Sequence, residues 1–413
     1  MPPGWVGYGI SLKREFEARA APCDSKRSIM IMVRRFVIAL IASASIIASV
    51  NAGVLDIDSD DLEHGDKKDA VAGWTFAEGL SYDGMIAQAD REAPPKEKTV
   101  PKENAATEKA VTEAVDGIPV VWIESTLDGT KQPSLFWHPE AAAAGGDGTL
   151  VPLLVALHSW GGTYKQTKAE TIRECRERGW AFLQPNFRGP NTRPEACASD
   201  LAVQDVLDAV DYARGKALID PKRIYVIGAS GGGHMALVMA GRAPKLWAGV
   251  SAWVPITDLA EWHRQCAESK WRYDKMLDKV CGGPPGDPAT DEEYRKRSPI
   301  FHLEMAAGLP IEINAGILDG HEGSVPIDHT LKAFNILADA NGHPDRKIPA
   351  EDIEYMVERA GIPPHLAGER EKEPGLKTLF RRTAGPVRVT IFQGGHTIRS
   401  AVGIRWLAQQ RNP

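Results

Sequence analysis

From residue 117 onward the chain alternates between two textures. Short apolar runs rich in β-branched and aromatic residues recur at 119–125 (PVVWIES), 133–137 (PSLFW), 151–157 (VPLLVAL), 180–185 (WAFLQP), 224–228 (IYVIG), 247–253 (WAGVSAW), 310–316 (PIEINAG) and 387–392 (VRVTIF). These predict strands. Apolar residues at three- and four-residue spacing predict helices over 164–178, 200–214, 231–242, 325–340 and 397–410. Ser199 offers an N-cap to "DLAVQDVLDAVDYARG", and Gly215 a stop. The turn "TLDGTKQ" makes the first two strands a hairpin. The later strands alternate with helices, which implies right-handed crossovers and a mostly parallel sheet covered on both faces. The span 117–413 therefore reads as one doubly wound α/β domain with eight strands.

The residues before it read differently. The stretch 53–116 is acidic at first and then rich in Pro, Lys, Glu and Ala. It holds too little apolar surface to offset its ordering entropy, so it reads as a linker or partly disordered arm. Residues 32–52 combine Arg34 and Arg35, an apolar run from Phe36 to Val50, and the small-residue sequence Val50-Asn51-Ala52. That is the build of a secretory signal peptide. The run is short for a membrane span, which needs about 20 residues, so no stable span remains after cleavage. Residues 1–31 then read as an extension ahead of a true start at Met30 or Met32, and the mature protein as secreted or periplasmic. Export leaves Cys175, Cys197, Cys266 and Cys281, an even number in an oxidising compartment, and predicts at least one disulfide.

Composition narrows the class of function. The chain is 43% hydrophobic with a net charge of −6, and no dense Lys/Arg run follows the leader. Nucleic acid is not an expected partner.

The segment carrying chemistry is "IYVIGASGGGHMAL" at 224–237. Gly228-Ala229-Ser230-Gly231-Gly232 fits G-x-S-x-G between a strand and a helix. A serine at such a tip is forced into unfavourable backbone angles, and glycines two before and two after it remove collisions across the turn. The helix that follows aims free N–H groups at the same spot. A dinucleotide or phosphate loop is the competing reading. It fails on G-x-G-x-x-G spacing and on the missing Walker lysine. No cofactor is expected, and with no Cys/His cluster at ligand spacing, no metal either.

A nucleophile needs a base and the base an orienter, and behind such an elbow the order along the chain is acid, then histidine. His396 lies in "QGGHTIRS", between the last strand and the final helix. His321 is its nearest rival. Asp319 lies just past the seventh strand, with Asp258, just past the sixth, as the alternative acid. The oxyanion donors expected are the N–H of Gly231 and that of Trp160 in "HSWGG", with Ser159 as runner-up to Trp160.

These residues, with "PNFRGPN" at 185–191, "DVLDAVDYA" at 205–213, "AGILDGHEGSVP" at 315–326 and "GGH" at 394–396, resemble the α/β-hydrolase superfamily. Within it they resemble the prolyl-oligopeptidase-type serine hydrolases, which include secreted bacterial esterases. The resemblance covers about 150–413 and implies an α/β-hydrolase fold with Ser230 as nucleophile, Asp319 as acid and His396 as base. Large peptidases of that family carry a β-propeller that filters substrates, and here only the arm and a hairpin precede the third strand. That departure favours a carboxylesterase, acting on small-molecule or saccharide esters, over a serine peptidase on short peptides. A non-catalytic binding module is the third alternative. Insertions are expected at 253–300 and 343–385. In the first, Trp253 and Trp262, with Trp271 and Tyr273, are candidates to wall a substrate cleft, against the simpler reading of cap packing. Arg188 is a candidate for a substrate carboxylate, against a structural ion pair.

Overall fold

The computed structural model describes residues 113–143 and 148–413. The leader, the extension before it and the arm up to residue 112 lie outside the described residues. The run VPLLVAL forms β4 (Val151–Leu157), buried at all seven positions. A strand apolar on both faces belongs in the middle of a sheet covered by helices. It pairs in parallel with β5 (Ala181–Pro185) on one side and β6 (Ile219–Ala229) on the other. The parallel run continues through β7 (Gly249–Trp253), β8 (Ile311–Gly316) and β10 (Val387–Phe392). Antiparallel strands finish both sides: β3 (Lys131–Trp137), β2 (Ile118–Glu124) and β1 (Ala114–Val115) beyond β5, and β9 (Thr378–Ala384) beyond β10. The order is β1-β2-β3-β5-β4-β6-β7-β8-β10-β9, an α/β-hydrolase arrangement.

The eight expected strands are β2 to β8 and β10, and two more join them. β1 is a two-residue strand at the end of the stretch read as an arm. β9 lies in the second expected insertion, which otherwise holds α8 (Ala350–Arg359). Its sequence TLFRRTA hides the strand, because Arg381 and Arg382 sit at buried positions. Arg381 is buried against Glu373 at 3.3 Å and donates to Thr390 Oγ1 at 3.1 Å. Arg382 pairs with Glu369 at 2.6 Å. Charge here signals pairing rather than exposure.

Helices α1 (Ala169–Arg178) and α9 (Ser400–Leu407) pack against each other, while α3 (Gly231–Arg242) lies along β6 and β7. α2 (Asp200–Lys216) begins where Ser199 accepts the N–H of Ala202 at 3.1 Å, and it runs one residue past the expected Gly215 stop. α7 (Asp328–Ala340) follows β8. The first insertion folds as α4 (Leu259–Glu268), α5 (Tyr273–Cys281) and α6 (Pro288–Arg297) around a separate apolar cluster with Trp160 and Val325. Among the described residues no helix is long and apolar enough to cross a membrane.

The expected disulfide is not present. Cys175, Cys197, Cys266 and Cys281 are free and buried. Cys175 belongs to the main core, and the other three to the cap cluster, as small apolar side chains. Burial pushes the Cys266 and Cys281 thiols up to about 12, so they stay protonated.

Arg188 is likewise structural rather than substrate-facing. Its guanidinium donates to Asp205 Oδ2 at 2.8 Å, Asp128 Oδ2 at 2.7 Å and Ser125 Oγ at 3.0 Å. It ties the β2–β3 turn and the loop after β5 to α2. Removing it strands the Asp205 carboxylate, whose side chain is 1% exposed. Arg188→Ala should cost roughly 3–5 kcal/mol in chemical denaturation, while leaving KM of the folded fraction unchanged.

Candidate active site

β6 delivers Ser230 at its carboxyl end, and α3 starts with the next residue. Ser230 adopts φ 58° and ψ −123°, a conformation costly for a residue with a side chain. Two backbone bonds hold it there. Its N–H donates to Trp253 O at 2.9 Å on β7, and its carbonyl accepts the His234 N–H at 2.8 Å. The turn is so tight that a Cβ on Gly228 would run into the carbonyl of Gly232. Ser230 itself is half-buried.

The oxyanion loop follows β4. Gly231 lies so close to Trp160 that a Cβ on it would sit 2.5 Å from the Trp160 Cα. Thus the backbones of the two residues whose N–H groups are expected to bind an oxyanion approach closely. Neither donates to a protein acceptor among the described residues. The Ser159 N–H is committed elsewhere, to Gln166 Oε1 at 2.8 Å, while Gln166 Nε2 donates to Ser159 Oγ at 2.8 Å. Gln166 therefore braces the loop and removes Ser159 as a competing donor. His158 is fully buried, stacked on Phe187 at 3.8 Å, and burial pulls it down to about 4. It is a neutral part of the loop's frame.

Asp319 and His396 meet across the ends of β8 and β10. His396 Nδ1 lies 2.7 Å from Asp319 Oδ2. An ionised carboxylate only accepts, so Nδ1 carries the proton and Nε2 keeps a free lone pair, as the expected base requires. The other carboxylate oxygen accepts the N–H groups of Gly320 at 3.1 Å and Val325 at 3.2 Å. Asp319 is 2% exposed, whereas the His396 side chain is 24% exposed and open to solvent on one side. Because β6, β8 and β10 run parallel, Ser230, Asp319 and His396 share one edge of the sheet. No hydrogen bond joins the Ser230 hydroxyl to the imidazole among the described residues; such bonds often tighten only with substrate bound. Asp258, the alternative acid, caps α4 by accepting the Glu261 N–H at 3.0 Å. His321 turns away to Val357 O at 2.6 Å.

Of the tryptophans expected to wall a cleft, Trp253 and Trp262 are interior, whereas Trp271 is half-buried and lines a cavity away from Ser230. Trp253 is fully buried beneath the nucleophile turn, with Nε1 donating to Ser251 Oγ at 2.9 Å. Trp262 is 1% exposed and donates to Ser324 O at 2.7 Å. Its ring stands 4.8 Å from Trp160 and 4.9 Å from Tyr273. The cap therefore holds the oxyanion loop and the acid loop in place, and these two side chains present no sugar-binding surface. Neither a cavity of about 1040 Å³ between α4, α7 and α8 nor one of about 240 Å³ that reaches Ala229 and Ser159 is lined by Ser230, Asp319 or His396.

Gln166 and Gly323 escaped the sequence reading. A glutamine seven residues past Ser159 carries no local signal. Gly323 sits in "DGHEGSVP", where its glycine could have been questioned. A Cβ there would lie 2.6 Å from the His396 Cβ and collide with Asp319 Oδ1. Gly323→Ala should lower kcat about 100-fold, the effect of a misplacement near 1 Å, with thermal unfolding nearly unchanged.

Residues 167–351 match the prolyl oligopeptidase family, Peptidase_S9. An acylamino-acid-releasing enzyme of Arabidopsis thaliana is 28% identical over 191 residues, 44% of this chain and 25% of the relative. Acylamino-acid-releasing enzyme 1 of Oryza sativa subsp. japonica is 26% identical over 172 residues, 39% of this chain and 22% of the relative. The chain thus spans about a quarter of those curated relatives. The uncomplexed acylaminoacyl peptidase of Pyrococcus horikoshii superimposes with a TM-score of 0.45 at 17% identity, covering 67% of this chain and 37% of that one.

Proposed function

We propose that this α/β-hydrolase-superfamily serine hydrolase, whose residues 167–351 carry the prolyl oligopeptidase family match, acts as a serine peptidase on short N-acylated peptides. Ser230 Oγ attacks the scissile carbonyl while His396 Nε2 takes its proton. The oxyanion that forms is held by the N–H groups of Trp160 and Gly231. His396 then returns the proton to the leaving amine as the C–N bond breaks, and water repeats the sequence in reverse to free the acyl group. Asp319 keeps Nδ1 protonated and stabilises the imidazolium.

The chemistry rests on the 2.7 Å contact between His396 and Asp319 on the sheet edge that carries the strained Ser230. Each oxyanion donor is worth about 3–4 kcal/mol of barrier. The preference for peptides over esters is supported by the family match and by the names of the plant relatives. Trp253 and Trp262, being buried, offer no aromatic platform to a saccharide ester.

Two assays run in parallel test this: N-acetyl-alanyl p-nitroanilide as the amide and p-nitrophenyl acetate as the ester. Amide turnover is expected, lost by about 10⁴-fold or more in Ser230→Ala and His396→Ala, with a fluorophosphonate probe labelling Ser230. Ester turnover without amide turnover returns the carboxylesterase, and absence of labelling removes the serine hydrolase altogether. The reading also keeps residues 32–52 as a secretory leader. N-terminal sequencing of the native protein should then begin at Gly53, and a chain starting at Met1 would overturn secretion.

A further inference from the structure

A carboxylate lies inside the sheet that the proposed chemistry does not use. Glu312 of β8 is fully buried, with Ile311 and Ile313 on either side of it in the chain. It stands in register with Ser251 of β7 and with Arg388 of β10, so the three side chains form a row across one face of the sheet. Ser251 Oγ donates to Glu312 Oε1 at 2.6 Å. Arg388 donates to Glu312 Oε2, with Nη2 at 2.6 Å and Nε at 3.1 Å. Replacing a buried ion pair by apolar side chains of similar volume is often neutral or stabilising. Stability alone therefore does not account for a charge at this place.

The row leads to the nucleophile. Ser251 Oγ also accepts the Nε1–H of Trp253 at 2.9 Å, and the Trp253 carbonyl is the one that accepts the Ser230 N–H. Trp253 is the last residue of β7. Val254, the next residue, adopts φ 44° and donates its N–H to Asn314 O at 2.7 Å. The carbonyl that steadies the Ser230 turn thus sits where its strand ends, and the indole bonded at Nε1 fixes that residue. The same indole meets the base side of the site. Its ring stands 5.7 Å from Phe392, the last residue of β10, which leads into the His396 loop. A Cβ on Gly403 of α9, the helix after that loop, would lie 3.0 Å from Trp253 Nε1 and 2.6 Å from Ser251 Oγ. One anchored side chain therefore meets the nucleophile's turn, the strand before the base and the helix after it.

We propose that Glu312 is a positioning residue for catalysis: by holding Ser251, and through it the Trp253 indole, it sets the Ser230 turn in register with the His396 loop. This rests on Ser230 as the nucleophile and holds for amide and ester substrates alike.

The test measures kcat, KM and the rate at which the fluorophosphonate probe labels Ser230, in variants held well below their unfolding temperatures. Ser251→Ala and Trp253→Phe each remove one end of the bond between the indole and the hydroxyl. Each should lower kcat and the labelling rate about 10-fold or more, towards the ~100-fold cost of a displacement near 1 Å, with KM near wild type. The double variant should lose no more than the worse single, because both changes break one link. Glu312→Leu should show the same split between kcat and KM. Glu312→Gln should lose less, since its amide oxygen still accepts from Ser251 while its amide N–H groups meet Arg388 donor to donor. Lowered unfolding temperatures with kcat and labelling unchanged overturn the proposal, as do losses that multiply in the double variant. Should Glu312→Leu fail to fold, Glu312→Gln and the double-variant comparison still decide. A wild-type enzyme not labelled at Ser230 removes the nucleophile and this proposal with it. Labelling that all the variants leave intact removes the positioning role alone.

Discussion

The turn at Ser230 is the constraint on which the rest of the structure depends. A residue with a side chain is held at φ 58°, ψ −123° only because its neighbours leave it no alternative. Parallel pairing with β4 and β7 fixes where β6 ends. The hydrogen bond from the Ser230 N–H to Trp253 O anchors the turn sideways, and the start of α3 anchors it forward. Both neighbours of β6 are buried strands, so the strain is supported by the centre of the core and not by a mobile rim.

The polar groups around this turn divide into those already satisfied and those left free, and that division organises the site. Ser159, Asp319 Oδ1 and His158 are occupied by partners from the protein. Among the described residues, the N–H groups of Trp160 and Gly231 are not. Preorganised donors without a protein partner are what a developing negative charge requires. The cap contributes from behind: its aromatic cluster presses on Trp160, and Trp262 holds the carbonyl of Ser324 in the acid loop. It serves the catalytic loops by packing.

Most of the fold was legible in the chain because its strands are apolar on both faces and alternate with helices. The β4 run and the glycine-flanked serine are local signals of that kind. β9 escaped because its two arginines are neutralised by Glu369 and Glu373, carboxylates whose proximity is created only by folding. The cysteines misled for a related reason: an even count says nothing about whether thiols approach one another, and here all four serve as core filling. Trp253, Trp262 and Arg188 look alike in a sequence whether they face solvent or neighbours, and only the packing decides. The positions of Asp319 and His396 could be read from their places after strands, whereas Gln166 braces its loop through geometry that no local pattern encodes.

The outer margins of the sheet carry a further consequence. At one margin the final strand, β1, is two residues long. At the other, β9 turns its outward N–H at Arg381 to the carbonyl of Glu369, from the loop that precedes it. An uncovered margin is a template onto which a foreign extended chain can add. Here the β9 margin is clasped at Arg381 by the loop that precedes it, which blunts that edge against the addition of another chain.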